Sequence, residues 1–461
     1  MKGLVVAGTH SGSGKTTVSL ALMAALKRRG FQVQAFKVGP DFIDPGHHTQ
    51  ITGRASHNLD GWMLPPIENI EVFNRYVSEA EVVVVEGVMG LYDGYDGLSE
   101  AGSTAQMAKW LGLPVLLVAD ARSMARSLAA LALGFFRFDP DLKWVGLAAN
   151  RVGSPRHTAY LAEAMTRVPE LSFRGGLRRE PDIGLPERHL GLVTADERTW
   201  DREAADRLAD WIESGLDVAG LLADLPERPS PQPPACAPMA ADPTDRVRIG
   251  VARDEAFCFY YQENLRRLEA AGAELVFFSP LRQPGLPAGL DGLYVGGGYP
   301  ELFARELAGN YDLRRAVREF GLSGRPIYAE CGGFMFLCRT IEDLEGRSWP
   351  MSGLLPVEIR MLDRLKSLGY RQVTFTVDTP LGPAGTVARG HEFHYSEIAA
   401  LDPVHAVYRS ADRTGEWREA GQGYMQGNVL ASYTHLHFGA CPELAPNFIS
   451  ACRKGGPRKS G

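Results

Sequence analysis

The 461-residue chain has no apolar run of about 18 residues, the length a helix needs to cross a bilayer, so no transmembrane span is expected. Its N-terminal stretch, Met1–Gly8, is too short for the apolar core of a secretion signal. It runs directly into a glycine-rich loop and reads as a first strand. Positive charge is not in excess: 49 Lys and Arg against 55 Asp and Glu leave a net charge of −6. That excludes a general nucleic-acid footprint, although a local basic patch would survive it. The six cysteines, Cys236, Cys258, Cys331, Cys338, Cys441 and Cys452, include no CxxC pair. This argues against a zinc template or a disulfide framework and for a reducing, cytoplasmic setting. No internal repeat is present. The remaining composition, 45% hydrophobic and 23% charged, is ordinary globular material with enough apolar residues for a sizeable core.

At about 150 residues per domain, this length predicts two or three domains. One segment differs sharply from the rest. Residues 226–245 begin with PERPSPQPPACAPMAADP, which holds seven prolines. Proline fixes φ and removes a backbone donor, so the stretch reads as an interdomain linker. The expected division is a first domain over 1–225, a second over 246–452, and a basic, glycine-rich disordered tail over 453–461.

The first half alternates apolar runs at 3–8, 33–38, 82–86, 114–119 and 144–149 with helical patterns at 16–29, 103–111, 123–137 and 156–168. Such alternation predicts a parallel sheet covered by helices on both faces. The second half opens the same way, with strands at 247–252, 275–278, 292–295 and 326–329 and a helix near 260–271. Beyond about 353 it turns strand-rich, at 372–377, 385–388 and 429–433. The fold class is therefore α/β: an N-terminal parallel-sheet domain with a phosphate loop, then a second α/β domain with an antiparallel extension.

Gly8-Thr9-His10-Ser11-Gly12-Ser13-Gly14-Lys15-Thr16 follows a strand and opens a helix. Gly12 and Gly14 free the backbone to turn its N–H groups toward phosphates. The helix N-terminus adds a favourable dipole, and Lys15 reaches the terminal phosphates. Thr16 offers a hydroxyl to Mg²⁺, and Thr17 belongs to the same nucleotide-binding set. The spacing is G-x5-GKT rather than G-x4-GK[ST], because Thr9 occupies the first glycine position. The strand Val82–Val85 ends in Glu86, a candidate magnesium partner beside the loop. The following Val88–Gly94 is glycine-rich and able to close over a substrate. Lys37-Val38-Gly39-Pro40-Asp41-Phe42-Ile43-Asp44 places two carboxylates three residues apart in a Gly/Pro-rich loop. Metal binding or substrate positioning fits them, and so does a plain turn. His47, His48 and His57 match no metal template and read as loop or substrate-binding residues.

In the second half, Ile327–Glu330 is a strand, Cys331 follows, and Gly332-Gly333 opens a helix. This is a nucleophile-elbow pattern, with a sharp turn exposing the thiol and a helix N-terminus expected to lower its pKa. Val295–Pro300 is placed to supply a second oxyanion donor. The other five cysteines read as structural. A thiol nucleophile needs a base, and Ser432–His437 ends a strand with two histidines that alternation puts on one face.

These motifs carry a resemblance. The G-x5-GKT loop is similar to that of dethiobiotin synthetase, which activates a carboxylate with ATP. The set GTHSGSGKTT, FKVGPDFIDPGHH, VVVVEGVMGLYDG and LPERHLGLV (185–193) resembles the cobyrinic acid a,c-diamide synthases, glutamine-dependent amidotransferases of corrinoid biosynthesis. The resemblance covers nearly the whole chain except the linker and tail. It implies ATP and Mg²⁺ as cofactors, with glutamine and a corrinoid tetrapyrrole as the other small-molecule partners. It implies that Asn150 reads the adenine edge. It further implies that Lys37, Asp41, Asp44 and Asp93 serve substrate, and that Thr16, Asp41 and Glu86 serve the metal. The second half resembles class I glutamine amidotransferases, whose catalytic His stands two residues before a Glu. Here His435 aligns with that base and His437 stands at the Glu position, so the third triad member is missing. His437 is the alternative base or an orienting residue. The implied reaction is amidation of the a and c acetates through acyl phosphates. Cobyric acid synthase and nickel-sirohydrochlorin diamide synthase remain alternatives, as does a nucleotide-switched partitioning ATPase. The last carries a lysine where this chain has His10. A homodimer is the assembly considered.

Overall fold

The computed structural model describes residues 1–180, 183, 187–188, 191–192, 200–229, 231, 246–418 and 421–455. The LPERHLGLV motif, most of the Pro-rich segment and the last six residues of the tail lie largely or wholly outside them. The chain forms two compact units, Met1–Ala235 and Cys236–Gly461.

The first unit runs β1 (Lys2–Gly8), α1 (Lys15–Arg28), β2 (Val33–Val38), α2 (Ile43–Thr52), β3 (His57–Leu59), α3 (Pro66–Val77), β4 (Val82–Gly90), α4 (Thr104–Leu111), β5 (Val115–Asp120), α5 (Ser127–Phe138), β6 (Trp144–Val152), α6 (Pro155–Met165) and β7 (Phe173–Arg178). A two-residue ladder, β8 (Glu187–Arg188) with β9 (Gly191–Leu192), precedes α7 (Arg202–Gly215) and α8 (Val218–Asp224). The seven-stranded sheet has the order β3-β2-β4-β1-β5-β6-β7, and every pair in it is parallel. The central strands are apolar on both faces because helices cover both. Val5, Val83 and Leu117 join the core that includes Val72, Ala105 and Leu128. Their strand neighbours Leu4, Val84 and Leu116 join the opposite core with Leu22, Leu208 and Ile212.

One expectation fails here. Residues 43–52 are a helix rather than a loop, so His47 and His48 lie on α2. Pro45 is tolerated in its first turn, where the backbone N–H has no intrahelical partner to lose. Asp41 starts the helix by accepting the N–H groups of Ile43 and Asp44 at 3.1 and 3.0 Å.

The second unit contains β10 (Val247–Ala252), α9 (Gln262–Ala270), β11 (Ala273–Phe278), β12 (Gly292–Val295), α10 (Ala304–Gly309), α11 (Tyr311–Leu322), β13 (Ile327–Glu330) and α12 (Gly332–Leu337). It continues with β14 (Thr340–Glu342), β15 (Ser348–Pro350), β16 (Val357–Met361), β17 (Ser367–Phe375), β18 (Val387–His394), β19 (Ser396–Leu401), β20 (His405–Ala411), β21 (Gln422–Gln426), β22 (Val429–Ser432), β23 (His435–Leu436) and α13 (Leu444–Gly455). Its main sheet has the order β11-β10-β12-β13-β22-β21-β20-β17-β18-β23. The β11-to-β22 part is parallel and the rest antiparallel. The expected strand at 385–388 instead begins at Val387, because Gly385 turns at φ 86°. Helix α13 also takes in Arg453–Gly455, the start of the expected tail.

Candidate functional site

In the first unit, β1 ends at Gly8, and the chain turns through Gly12 (φ 81°) and Gly14 (φ 90°) into α1. Both glycines adopt left-handed backbone that a side chain would strain. A Cβ at Gly14 would also meet the Asn150 amide at 2.1 Å. Asn150, at the end of β6, donates from Nδ2 to Ser13 O at 3.0 Å. Arg151 donates to Gly12 O at 2.8 Å and pairs with Asp120 at 2.6 Å. The loop is thus held from the ends of β5 and β6. Thr17 sits in the first turn of α1, half-buried.

Beneath the loop lies a buried charge cluster. The Thr16 hydroxyl donates to Glu86 Oε1 at 2.6 Å. Lys37 Nζ reaches the same oxygen at 2.8 Å and Asp44 Oδ2 at 2.6 Å. His48 Nε2 meets Glu86 Oε2 at 2.8 Å, and its Nδ1 lies 3.1 Å from Ser56 Oγ. Burial opposes the charge on Glu86, but Lys37 and His48 outweigh it and hold the carboxylate well below its ordinary range. Burial, then the Glu86 charge, push Asp44 well above that range against the pull of Lys37. Burial and the neighbouring Lys37 lower Lys15. Asp93 is tied into its loop by accepting Gly90 N–H at 2.9 Å.

The donors present suit a magnesium ion that keeps waters and phosphate oxygens as its other ligands. Thr16 and Glu86 are adjacent, and Asp44 Oδ1 is buried without a hydrogen-bond partner. Among the described residues no group of three His, Cys, Asp or Glu side chains forms a cage by itself. Asp41 carries a second duty, since both of its oxygens cap α2. Sequence reasoning missed the tie of His48 to Glu86. His48 stands four residues after Asp44, one helical turn away, but that spacing points to Asp44 and carries no sign of Glu86, which only the fold brings to it.

In the second unit, Cys331 leaves β13 with φ 49° and ψ −104°, a strained elbow. Gly332 and Gly333 follow because the turn leaves no room. A Cβ at Gly333 would lie 2.1 Å from Val295 O, and one at Gly332 would lie 2.8 Å from Pro300 Cδ. β13 pairs in parallel with β22, Glu330 opposite Ser432. Cys331 and His435 therefore leave the same ends of neighbouring strands. A Cβ at Gly297 would sit 2.3 Å from His435 Cε1, so the 296–298 loop borders His435 and Gly332 together. Of that loop's N–H groups, Gly296 donates to the Tyr260 hydroxyl at 2.8 Å and Gly297 to Phe259 O at 3.2 Å. Gly298 N lies 3.0 Å from the position of a Gly332 Cβ.

Two expectations change. The helix after Cys331 spans only Gly332–Leu337 and does not lower the thiol pKa. Burial, with Glu301 and other carboxylates adding to it, holds the thiol above its ordinary value against the Gly332 N–H. The alternation argument for His435 and His437 also lapses, because the paired strand stops at Leu436. His437 is buried, tilts against Tyr261 at 4.7 Å, and accepts Gly439 N–H at 3.1 Å on Nδ1. Burial pushes its pKa down to about 3. Cys331, Cys338 and Cys452 are buried free thiols.

Residues 4–193 match the family model of the CobQ/CobB/MinD/ParA nucleotide binding domain. Residues 248–442 match that of the CobB/CobQ-like glutamine amidotransferase domain. Proteins named cobyrinate a,c-diamide synthase are similar along nearly the whole chain. The one from Syntrophotalea carbinolica is 48% identical, covering 98% of each chain. That from Leptospira interrogans is 42% identical over 97% of this chain and 98% of its own. That from Methanosarcina acetivorans is 41% identical over 98% of this chain and 95% of its own. With a glycine-rich loop over a buried charge cluster in one unit and a cysteine elbow in the other, the chain belongs to the cobyrinate a,c-diamide synthase family of amidating ligases.

Proposed function

We propose that this enzyme amidates the a and c acetate carboxylates of cobyrinic acid, or of cobalt-free hydrogenobyrinic acid, with ammonia released from glutamine. A carboxylate does not react usefully with ammonia, because hydroxide is a poor leaving group. Transfer of the ATP γ-phosphoryl group gives an acyl phosphate, and ammonia attacks its carbonyl carbon and displaces inorganic phosphate to leave the amide. Lys15 and the loop N–H groups bind the phosphates, and Asn150 reads the adenine. Magnesium, when bound, neutralises charge on the transferred phosphoryl group; Thr16, Glu86, Asp44 and Asp41 are the residues that would hold it. Lys37, Asp41, Asp44 and Asp93 line the approach of the substrate carboxylate.

In the second unit Cys331 attacks the γ-amide of glutamine and His435 takes the thiol proton. A glutamyl thioester forms as ammonia leaves, and water then releases glutamate. The Gly332 N–H and the Gly298 N–H face the developing oxyanion. The observation that carries the reading is the Thr16–Glu86–Lys37–Asp44 cluster under a phosphate loop, in a chain that also bears Cys331 on a strained elbow.

The test offers cobyrinic acid, hydrogenobyrinic acid and nickel-sirohydrochlorin in parallel with ATP, Mg²⁺ and glutamine, anaerobically, and counts amides by mass spectrometry. Two amides on a corrinoid support the proposal. Two on nickel-sirohydrochlorin alone move the substrate to the nickel-sirohydrochlorin synthase, and four on cobyrinic acid a,c-diamide, offered as a further substrate, move it to cobyric acid synthase. Cys331→Ala abolishes glutamine-dependent synthesis and keeps synthesis with free ammonia, whereas Lys15→Ala loses both. A Cys331→Ala protein that ammonia does not rescue refutes this division of labour.

A further inference from the structure

The usual third member of the cysteine amidotransferase triad is missing from its sequence position, where His437 stands. The fold brings a carboxylate to the base from another direction. Glu330, the residue immediately before the nucleophile, lies with Oε2 3.8 Å from His435 Nδ1. Both side chains are almost wholly excluded from solvent. We propose that Glu330 is the positioning residue of the glutaminase, holding the His435 ring with Nδ1 protonated so that Nε2 is left to take the thiol proton. This inference rests on the Cys331–His435 reading above.

Three observations support it. The carboxylate is held in place on both oxygens. Tyr294 donates to Oε2 at 2.9 Å, while Tyr328 and the Leu436 N–H, the latter at 2.9 Å, donate to Oε1. The Leu436 contact couples Glu330 to the backbone next to His435 itself, so carboxylate and ring are located by one short segment. Gly297 also borders the ring, since a Cβ there would lie 2.3 Å from His435 Cε1. The ring therefore lies close to both the glycine loop and a fixed carboxylate. The 3.8 Å separation is an ion-pair distance rather than a hydrogen bond. Catalytic contacts of this kind are often long in the free enzyme and tighten in the Michaelis complex, and a small rotation of the ring would bring this one to hydrogen-bond distance.

The placement has a chemical reason. One strand end delivers both nucleophile and orienter: Glu330 and Cys331 are consecutive, and the backbone turns at Cys331 with φ 49°. The carboxylate then stabilises the imidazolium formed during attack and takes no proton itself. Other groups titrate nearby. Tyr260, Tyr294, Tyr328 and Tyr408 act electrostatically with Glu330, and burial keeps all four phenols neutral. His391 is the register partner of His435 on β18. Glu301 acts on the Cys331 thiol, with its carboxyl pushed up by burial to about 7, and Glu392 acts on the same thiol. Their contributions are common to variants at position 330, so the effect of Glu330 is read as a difference.

The experiment compares the full-length enzyme with its Glu330→Gln variant across pH, following glutamine hydrolysis, with ammonia-dependent synthesis as the check on integrity. Glu330→Gln is expected to lower glutaminase kcat about 10-fold or more with little change in KM. It should also move the acid limb of kcat/KM to lower pH, since the imidazolium loses its counter-charge. An unchanged rate overturns the proposal. So does a lower rate with an unmoved limb, which is what a purely structural role predicts. Should the variant not fold, the wild-type protein decides: an isotope-labelled histidine NMR spectrum, assigned with His435→Asn, is expected to show His435 protonated on Nδ1, and a proton on Nε2 overturns the assignment. Loss of all cysteine dependence, seen as a glutamine-active Cys331→Ala, would instead sink the underlying glutaminase reading and is distinguishable from either result.

Discussion

His48 Nε2 stands 2.8 Å from Glu86 Oε2, and neither side chain is reached by solvent. The two oxygens of Glu86 are thereby divided. Oε1 serves Thr16 and Lys37 on the phosphate-loop side, and Oε2 is held from behind by a histidine that Ser56 orients in turn. A carboxylate fixed in this way presents one oxygen in one place, as the magnesium partner proposed for it above would have to.

Replacing His48 with Ala leaves a buried carboxylate oxygen without its partner. We expect a loss of stability of about 1–3 kcal/mol and a fall in synthesis with either nitrogen source. Thermal unfolding and the ammonia-dependent assay check this. An unchanged melting temperature would remove His48 from the cluster's support.

The two histidines of the C-terminal segment should separate cleanly. His435→Asn is expected to lower glutamine hydrolysis about 100-fold or more, the scale of general-base catalysis. His437 is neutral at physiological pH because burial holds its pKa at about 3, and its Nδ1 serves Gly439. His437→Asn should therefore retain turnover within about 10-fold and show its cost as about 1–3 kcal/mol of stability. Steady-state glutaminase rates decide, and the reverse order would make His437 the base.

Glu392 provides a pH prediction for the second unit. Burial opposes its charge, but the His394 hydrogen bond and Arg371 hold its pKa down at about 2, against an ordinary value of 4.5. A folded-state pKa below the unfolded one contributes stability that is fully present above about pH 4.5. It is lost as pH falls toward 2, by about 3 kcal/mol in this case. Chemical unfolding measured from pH 6 to 2 should show this slope in the wild type and a flatter one in Glu392→Gln. Equal slopes would mean that the Glu392–Arg371 pair titrates no differently in the unfolded chain.

The parallel sheet of the first unit was legible because its strands are short apolar runs punctuated by helical patterns, and both are local signals. The phosphate loop was legible for the same reason: Gly12, Gly14 and Lys15 need only their neighbours to define the turn. The α2 helix was not, because Gly39-Pro40-Asp41 and Pro45 read as loop residues. The helix is made by contacts the local residues do not announce: the Asp41 hydrogen bonds at its start, and the burial of His47, His48 and Ile51 within the unit. The elbow at Cys331 was legible from the residues beside it, whereas the thiol's raised pKa depends on burial and on Glu301, which lies 30 positions away in the chain.

The sequence by itself determined the two-part α/β organisation, the phosphate loop and the cysteine elbow, since each is written in contiguous residues whose backbone preferences are local. Tertiary structure alone decided which charges meet. His48 finds Glu86 across 38 positions, and Glu330 finds His435 across more than 100. A buried ionised group exists only where the fold brings it a partner, so such pairings cannot be read before the chain is folded.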